Sequence, residues 1–146
     1  MSATLYNAEI LRLAASVLHG ERLPLPDASS ERRSPVCGSR VTVDVALDDE
    51  GRIRAVGQEV RACALGQASA SLMGGNVVGR SADEVEAARD ALAAWLAGER
   101  LDPGDWPGLS IFTPAIPHKA RHASIRLAFE AVAEAARAAM RARQTG

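Results

Sequence analysis

Aromatic residues make up only 3% of this 146-residue chain while hydrophobic residues make up 47%, so its core must be built from alanine, valine and leucine. Side chains that small favour closely packed helices. Charge of either sign is not in excess: the formal net charge is -1, which gives no global field for nucleic acid or an anionic membrane. No apolar run approaches the roughly 20 residues that span a bilayer, and Met1-Ser2-Ala3-Thr4 lacks a basic start followed by an apolar stretch. The expectation is a soluble cytoplasmic protein. Cysteine is also scarce, with two in the chain, and in the absence of an export signal both are expected to be reduced thiols. There is no Gly-x-Ser-x-Gly elbow to support a Ser-His-Asp triad, no phosphate loop, no nucleic-acid motif and no internal repeat. The length suits one domain over residues 1–146, large enough to bury a core without staples.

Along the chain, Asn7 is placed to cap a first helix in which Ile10, Leu13, Ala14 and Val17 share a face, ending near His19-Gly20. Leu23-Pro24-Leu25-Pro26 cannot continue it and leads into a first short strand. From Arg40 the alternation is strict. Val41, Val43, Val45 and Leu47 face one way and Thr42, Asp44 and Ala46 the other, as a half-buried strand requires. Asp48-Asp49-Glu50-Gly51 turns the chain back into a second arm over residues 52–60, forming an antiparallel hairpin. A small-residue helix follows from Leu65 to Val78, then a capping box at Ser81-Ala82-Asp83-Glu84 opens another with Val85, Ala88, Leu92 and Trp95 in its stripe. Gly98 is its expected stop. Four prolines and two glycines make residues 101–117 a long irregular segment, and a last helix runs from about Lys119, with Ile125, Phe129, Val132, Ala136 and Met140 at helical spacing.

The two cysteines occupy distinctive settings. Cys37 sits in Ser34-Pro35-Val36-Cys37-Gly38-Ser39, where Pro35 and Gly38 enforce a tight turn. Cys63 lies at the far end of the hairpin, at the start of the small-residue helix, whose unpaired amides attract an anion. A thiolate binds metals and accepts sulfur from a persulfide donor. The plainer alternative for each is a small buried apolar residue. His122 is the best third donor, since neutral imidazole joins cysteine in mixed sites, although a lone histidine at a helix start is more often a surface hydrogen-bonder. His118 is a weaker candidate, and His19 complements a helix end. Lys119, Arg121 and Arg126 form a positive rim or a solvated face. Arg137, Arg141 and Arg143 are read as complements to a helix C-terminus, and Met73, Trp95 and Trp106 as packing residues.

These segments, in this order, resemble the U-type iron–sulfur cluster scaffold family (IscU, SufU and the N-terminal domain of NifU). In that family a first cysteine stands in an Asn-Pro-x-Cys-Gly-Asp turn. A β-hairpin follows, and a Gly-Cys-Ala then opens a helix beginning Ala-Ser-x-Ser, matched here by Cys37-Gly38, Cys63-Ala64 and Ala68-Ser69-Ala70-Ser71. The resemblance runs from the first helix to the last. It implies an α+β fold, with a small antiparallel sheet of about three strands packed against several helices, as in the SufE/NifU-like (IscU-like) fold. It further implies a scaffold, not an enzyme, that binds iron or a nascent iron–sulfur cluster through Cys37 and Cys63. Sulfur would come from a cysteine desulfurase, and apo-protein recipients would take the cluster. Three positions depart from the pattern: Ser39 replaces the aspartate, Ala62 the glycine, and Ser124 stands at the third cysteine, or Ala123 if the alignment slips by one residue. Other readings of the same fold are a zinc-binding protein, a metal-free interaction protein and a sulfur-transfer protein.

Overall fold

Asn7 acts as the expected cap, its Oδ1 accepting the Ile10 amide at 2.9 Å, and the helix it opens, α1, runs Ala8–Ala15. The computed structural model describes residues 7–17, 20–35 and 38–145. Helix α1 closes earlier than the expected end near Gly20, because Ser16 leaves the helical region and turns its Oγ back to the Arg12 carbonyl. His19 lies outside the described residues.

Three strands follow, β1 (Ala28–Arg33), β2 (Arg40–Leu47) and β3 (Ile53–Arg61), forming an antiparallel sheet in the order β1-β2-β3. The β2–β3 turn is held by Asp48, whose Oδ1 accepts the amides of Glu50 and Arg52, each at 2.9 Å. Helices α2 (Ala64–Asn76), α3 (Ala82–Leu96) and α4 (His122–Thr145) complete the α+β architecture. Helix α4 packs on β1, β2, α2 and α3 together. Its crowded position is where small residues matter: Ala128, Ala131, Ala133, Ala135 and Ala136 are fully buried around Phe129 and Val132. Bulkier side chains would hold its neighbours apart.

Strand β2 differs from the half-buried expectation. It is the central strand, and both faces are covered: Val41, Val43 and Val45 face the helices, while Asp44 on the other face is 0% exposed. The cover is residues 21–23, which cross the outer face. Arg22 donates to both Asp44 oxygens at 2.7 and 2.9 Å, the Leu23 amide donates at 2.9 Å, and Ser29 Oγ donates as well. Gly57, opposite Asp44 in the register, admits this segment, since a Cβ there would lie 2.7 Å from the Leu23 nitrogen and closer still to the Glu21 carbonyl oxygen. Backbone cannot yield as a flexible side chain can. Gly57→Ala is therefore expected to cost about 1–3 kcal/mol, read as a melting temperature lowered by roughly 3–10 °C.

The capping box is present, with Glu84 N donating to Ser81 Oγ and Ser81 N to Glu84 Oε1, both at 3.2 Å. Helix α3 ends beside Gly98 at φ 82°. The proline-rich stretch is more regular than expected. Leu109–Ala115 forms a 3-10 helix, whose three residues per turn set Leu109, Phe112 and Ala115 on one face, and all three are buried. Trp106 pins its start, donating Nε1–H to the Leu72 carbonyl at 2.9 Å and meeting Phe129 edge to face. Arg137 departs from its expected role: it reaches from α4 to Asp83 and Glu86 of α3, tying the two helices rather than complementing a C-terminus. Its guanidinium has side-chain carboxylates within reach across the helix pair, which a helix end does not offer.

Candidate functional site

Register brings the cysteine-bearing segments to one end of the sheet. Arg40 at the start of β2 pairs with Arg61 at the end of β3. The turn before Arg40 is closed by the Ser34 amide on the Ser39 carbonyl at 2.9 Å, with Gly38 at φ 70°. Two residues beyond Arg61, Cys63 becomes the N-cap of α2. Its backbone is extended, its side chain makes no cap hydrogen bond, and it is half-buried. Cys37 lies outside the described residues.

The first turn of α4 closes the site from the other side. Gly66, in the first turn of α2, lies so close to it that a Cβ would sit 3.2 Å from the Ser124 carbonyl oxygen. Ser124 is 1% exposed, and its Oγ lies 3.3 Å from Ser39 Oγ, a hydrogen bond between residues 85 positions apart. Ser69 Oγ donates to the Ile125 carbonyl and fastens α2 to the same turn. Thus Cys63, Ser39 and Ser124 belong to one junction between the sheet end, α2 and α4. Ala123 is half-buried one residue earlier.

His122 is buried, with Nε2 3.0 Å from the carbonyl oxygens of both Ala115 and Ile116. Carbonyls only accept, so Nε2 carries the proton, and in the neutral ring Nδ1 is the nitrogen left with a lone pair. The ring thereby fastens the end of the 3-10 helix to α4. His118 is exposed, Lys119 is exposed and Arg121 half-buried, while Arg126 lies 3.7 Å from Glu130 on its own helix.

The residue pattern alone did not reveal a row of arginines. Arg33 pairs with Arg40 and Arg40 with Arg61, so three guanidinium side chains stand side by side on the outer face of the sheet end. Like charges directly opposite one another repel. The next row, Glu31-Thr42-Glu59, offsets part of this: Glu31 accepts from Arg33 at 2.8 Å and lies 3.8 Å from Arg40, and Glu59 lies 3.8 Å from Arg40 and 3.4 Å from Arg61. The Arg33 bond, above all, holds the Glu31 carboxyl below its ordinary value. These arginines and Ser34, Pro35, Gly38 and Ser39 line an open cavity of about 590 Å³ beside the turn. The available signal was an arginine at each strand end nearest the cysteines, and its meaning depends on register.

A sequence model of the NifU-like N terminal domain matches residues 19–144. The chain belongs to that family. Its fold is similar to the crystal structure of a nitrogen-fixing NifU-like protein (N-terminal) from Brucella abortus, at 41% identity and a TM-score of 0.87 over 94% of this chain and 95% of that one. It is also similar to a putative iron–sulfur cluster assembly scaffold protein for the SUF system from the thermophile Fervidobacterium islandicum AW-1. There the identity is 19% and the TM-score 0.83, over 90% of this chain and 96% of that one. No curated protein matches the chain. Membership of the NifU-like family agrees with the resemblance carried by the cysteine turn and the Ala68-Ser69-Ala70-Ser71 helix, and the three-stranded sheet with its helices is the fold that resemblance implied. Among the described residues, no helix is long and apolar enough to cross a membrane.

Proposed function

We propose that this chain is a scaffold-like protein of iron–sulfur cluster assembly, one U-type domain over residues 1–146, with Cys63 and Cys37 as its thiolate donors. The cluster is cargo, received and handed on, and the protein itself turns over no small substrate. The observation that carries the reading is the junction in this NifU-like fold, where the half-buried Cys63 side chain, free of any cap bond, adjoins the turn tied by Ser39 to Ser124.

The same thiolate suits sulfur acceptance. Cys63 sulfur attacks the outer sulfur of a desulfurase persulfide, the donor S–S bond breaks, a new S–S bond forms on Cys63, and the donor leaves as a thiolate. Building the cargo would then take iron together with two electrons per sulfur from an external reductant such as a thiol, which would cut the S–S bond on Cys63 and release the outer sulfur as sulfide, and an apo-protein would take the cluster away.

The donor set is short. Clusters are commonly held by four protein ligands, and the two cysteines supply half of them. Among the described residues no three His, Cys, Asp or Glu side chains gather as a metal site. His122 could add only Nδ1, since Nε2 is held by the two carbonyls. Ser124 occupies the third-ligand position as an alcohol, a poor partner for a soft iron–sulfur centre.

The test is Ser124→Cys beside Ala123→Cys and wild type in anaerobic reconstitution, read by visible absorption and by iron and sulfide counts. Ser124→Cys is expected to raise cluster yield or lifetime several-fold, because its Sγ would replace an Oγ already facing Ser39. Ala123→Cys distinguishes the two alignments. If neither variant holds more cluster than wild type, the missing thiolate is not the limit, and a metal-free interaction or sulfur-transfer role takes precedence.

A further inference from the structure

We propose that the cations around Cys63 form a docking rim for an acidic sulfur donor, a protein segment that carries carboxylates beside its persulfide. Such a rim presupposes the role of Cys63 as sulfur acceptor and adds to it the charge of the partner.

Basic residues gather on both flanks of the junction. On one flank Arg33, Arg40 and Arg61 cross the three strand ends, and Arg61 stands two residues before Cys63. On the other, Lys119, Arg121 and Arg126 belong to the start of α4, which lies against the first turn of α2 at Gly66 and Ser124. Three carboxylates offset them: Glu31 and Glu59 on the sheet, and Glu130 beside Arg126. Arg32 is matched by Glu134 and leaves that balance unchanged. Six cations therefore face three anions here, while the remaining eleven of the 17 basic residues stand against fifteen of the 18 acidic ones. A chain of net charge -1 thus carries its positive surplus at the end that holds Cys63.

These charges are open to a partner. The side chains of Arg33 and Arg61 are 66% and 68% exposed, Lys119 is exposed, and among the described residues neither Lys119 nor Arg121 has an ion-pair partner. Exposed pairs such as Arg33–Glu31 add little to stability, so a partner's carboxylate displaces Glu31 or Glu59 at small cost. Reach also fits. The arginine row spans two interstrand spacings, about 10 Å, and the two residues from Arg61 to Cys63 extend at most about 7 Å. A protein partner covers about 800 Å² of surface, a patch roughly 30 Å across. A donor seated with its persulfide at Cys63 therefore meets Arg61 and its neighbours. Nucleic acid suits the rim less, because the Glu31-Thr42-Glu59 row beside the arginines repels a continuous phosphate backbone.

The experiment offers the reduced protein three synthetic peptides, each with one cysteine persulfide between two runs of three aspartates, three serines or three lysines. Sulfur gained on Cys63 is timed by mass spectrometry in wild type and in Arg33→Gln/Arg61→Gln/Lys119→Gln. Dividing the two proteins' rates removes each peptide's own reactivity. At low ionic strength, where the screening length is about 30 Å, the wild-type to variant ratio is expected to be about 10 for the aspartate peptide, the low end of charge steering. For the serine peptide it is expected to be about 1 and for the lysine peptide below 1. In about 1 M salt, with a screening length of about 3 Å, all three ratios are expected to converge on about 1. Alkylation of Cys63 by the neutral reagent iodoacetamide is expected to run equally in both proteins. A serine ratio equal to the aspartate ratio, or alkylation slowed in the variant as sulfur transfer is, means that the cations act on the thiol and overturns the proposal. A single-stranded DNA oligonucleotide that shields Cys63 from the serine peptide in wild type but not in the variant assigns the rim to nucleic acid and overturns it too. An aspartate ratio near 1, with Cys63 still gaining sulfur from every peptide, overturns the acidic donor and leaves the sulfur-acceptor role standing. No sulfur on Cys63 from any peptide overturns both.

Discussion

Cys63→Ser is expected to reduce the iron and sulfide retained after anaerobic reconstitution to the level of unliganded protein, with the fold intact. Loss of a hydrogen-bond partner behind a metal ligand already costs about 10–100-fold in affinity, so loss of the ligand itself is expected to cost on the order of 100-fold or more. The two readouts separate cleanly because of where Cys63 sits. It is the N-cap of α2, and its thiol satisfies none of the free amides there. Serine is among the preferred N-cap residues, and its hydroxyl can accept from those amides, a contribution of about 0.5–2 kcal/mol. The melting temperature of Cys63→Ser should therefore equal or exceed that of wild type while cargo binding disappears. A variant that retains iron and sulfide as wild type does would remove Cys63 from the ligand set.

The second large effect concerns stability. Asp44→Ala is expected to lose about 3 kcal/mol, near the lower end for breaking a buried ion pair, and roughly 10 °C in melting temperature. Asp44 is fully buried and accepts from Arg22, the Leu23 amide and Ser29. The lower end applies because Arg22 remains 48% exposed and keeps much of its hydration when the carboxylate is removed. Burial pushes the Asp44 carboxyl up, but the hydrogen bonds from Arg22, Ser29 and Leu23 together outweigh it and hold the group below its ordinary value. The folded protein thus takes up this proton at lower pH than the unfolded chain, whose aspartates titrate near about 3.9. The stabilisation from ionised Asp44 is fully present above that pH and is lost as pH falls through the lower, folded value. Denaturation curves measured from pH 7 to pH 2 should show the wild-type advantage over Asp44→Ala constant above about pH 5 and shrinking below about pH 4. A gap that stays constant to pH 2 would mean that the charge of Asp44 contributes nothing.

Much of the fold was legible in the sequence because its signals are local. Asn7 and the Ser81–Glu84 pair are caps whose chemistry is complete within three residues. Alternation marked β2 from Arg40 to Leu47, and the Asp48–Gly51 turn set the hairpin. The 3-10 helix at Leu109–Ala115 was missed because the prolines and glycines of residues 101–117 mask a period of three that only the burial of Leu109, Phe112 and Ala115 reveals. At the site, Cys63 and the Gly38 turn were recognisable from the residues around them. His122 was recognised as a donor, but its two bonds to the Ala115 and Ile116 carbonyls were not.

By itself the sequence determined that the core would be aliphatic and alanine-rich, where the helices start, which face of each strand carries the valines, and which two residues carry thiols. Each of these depends on side-chain type and on spacing within a turn or two of the backbone. Tertiary structure alone decided that Asp44 is buried, that Gly57 makes room for residues 21–23, that three arginines stand in one row, and that Ser39 meets Ser124. These facts concern partners from 7 to 85 residues apart, whose meeting follows from strand register and helix packing, to which distant parts of the chain contribute at once.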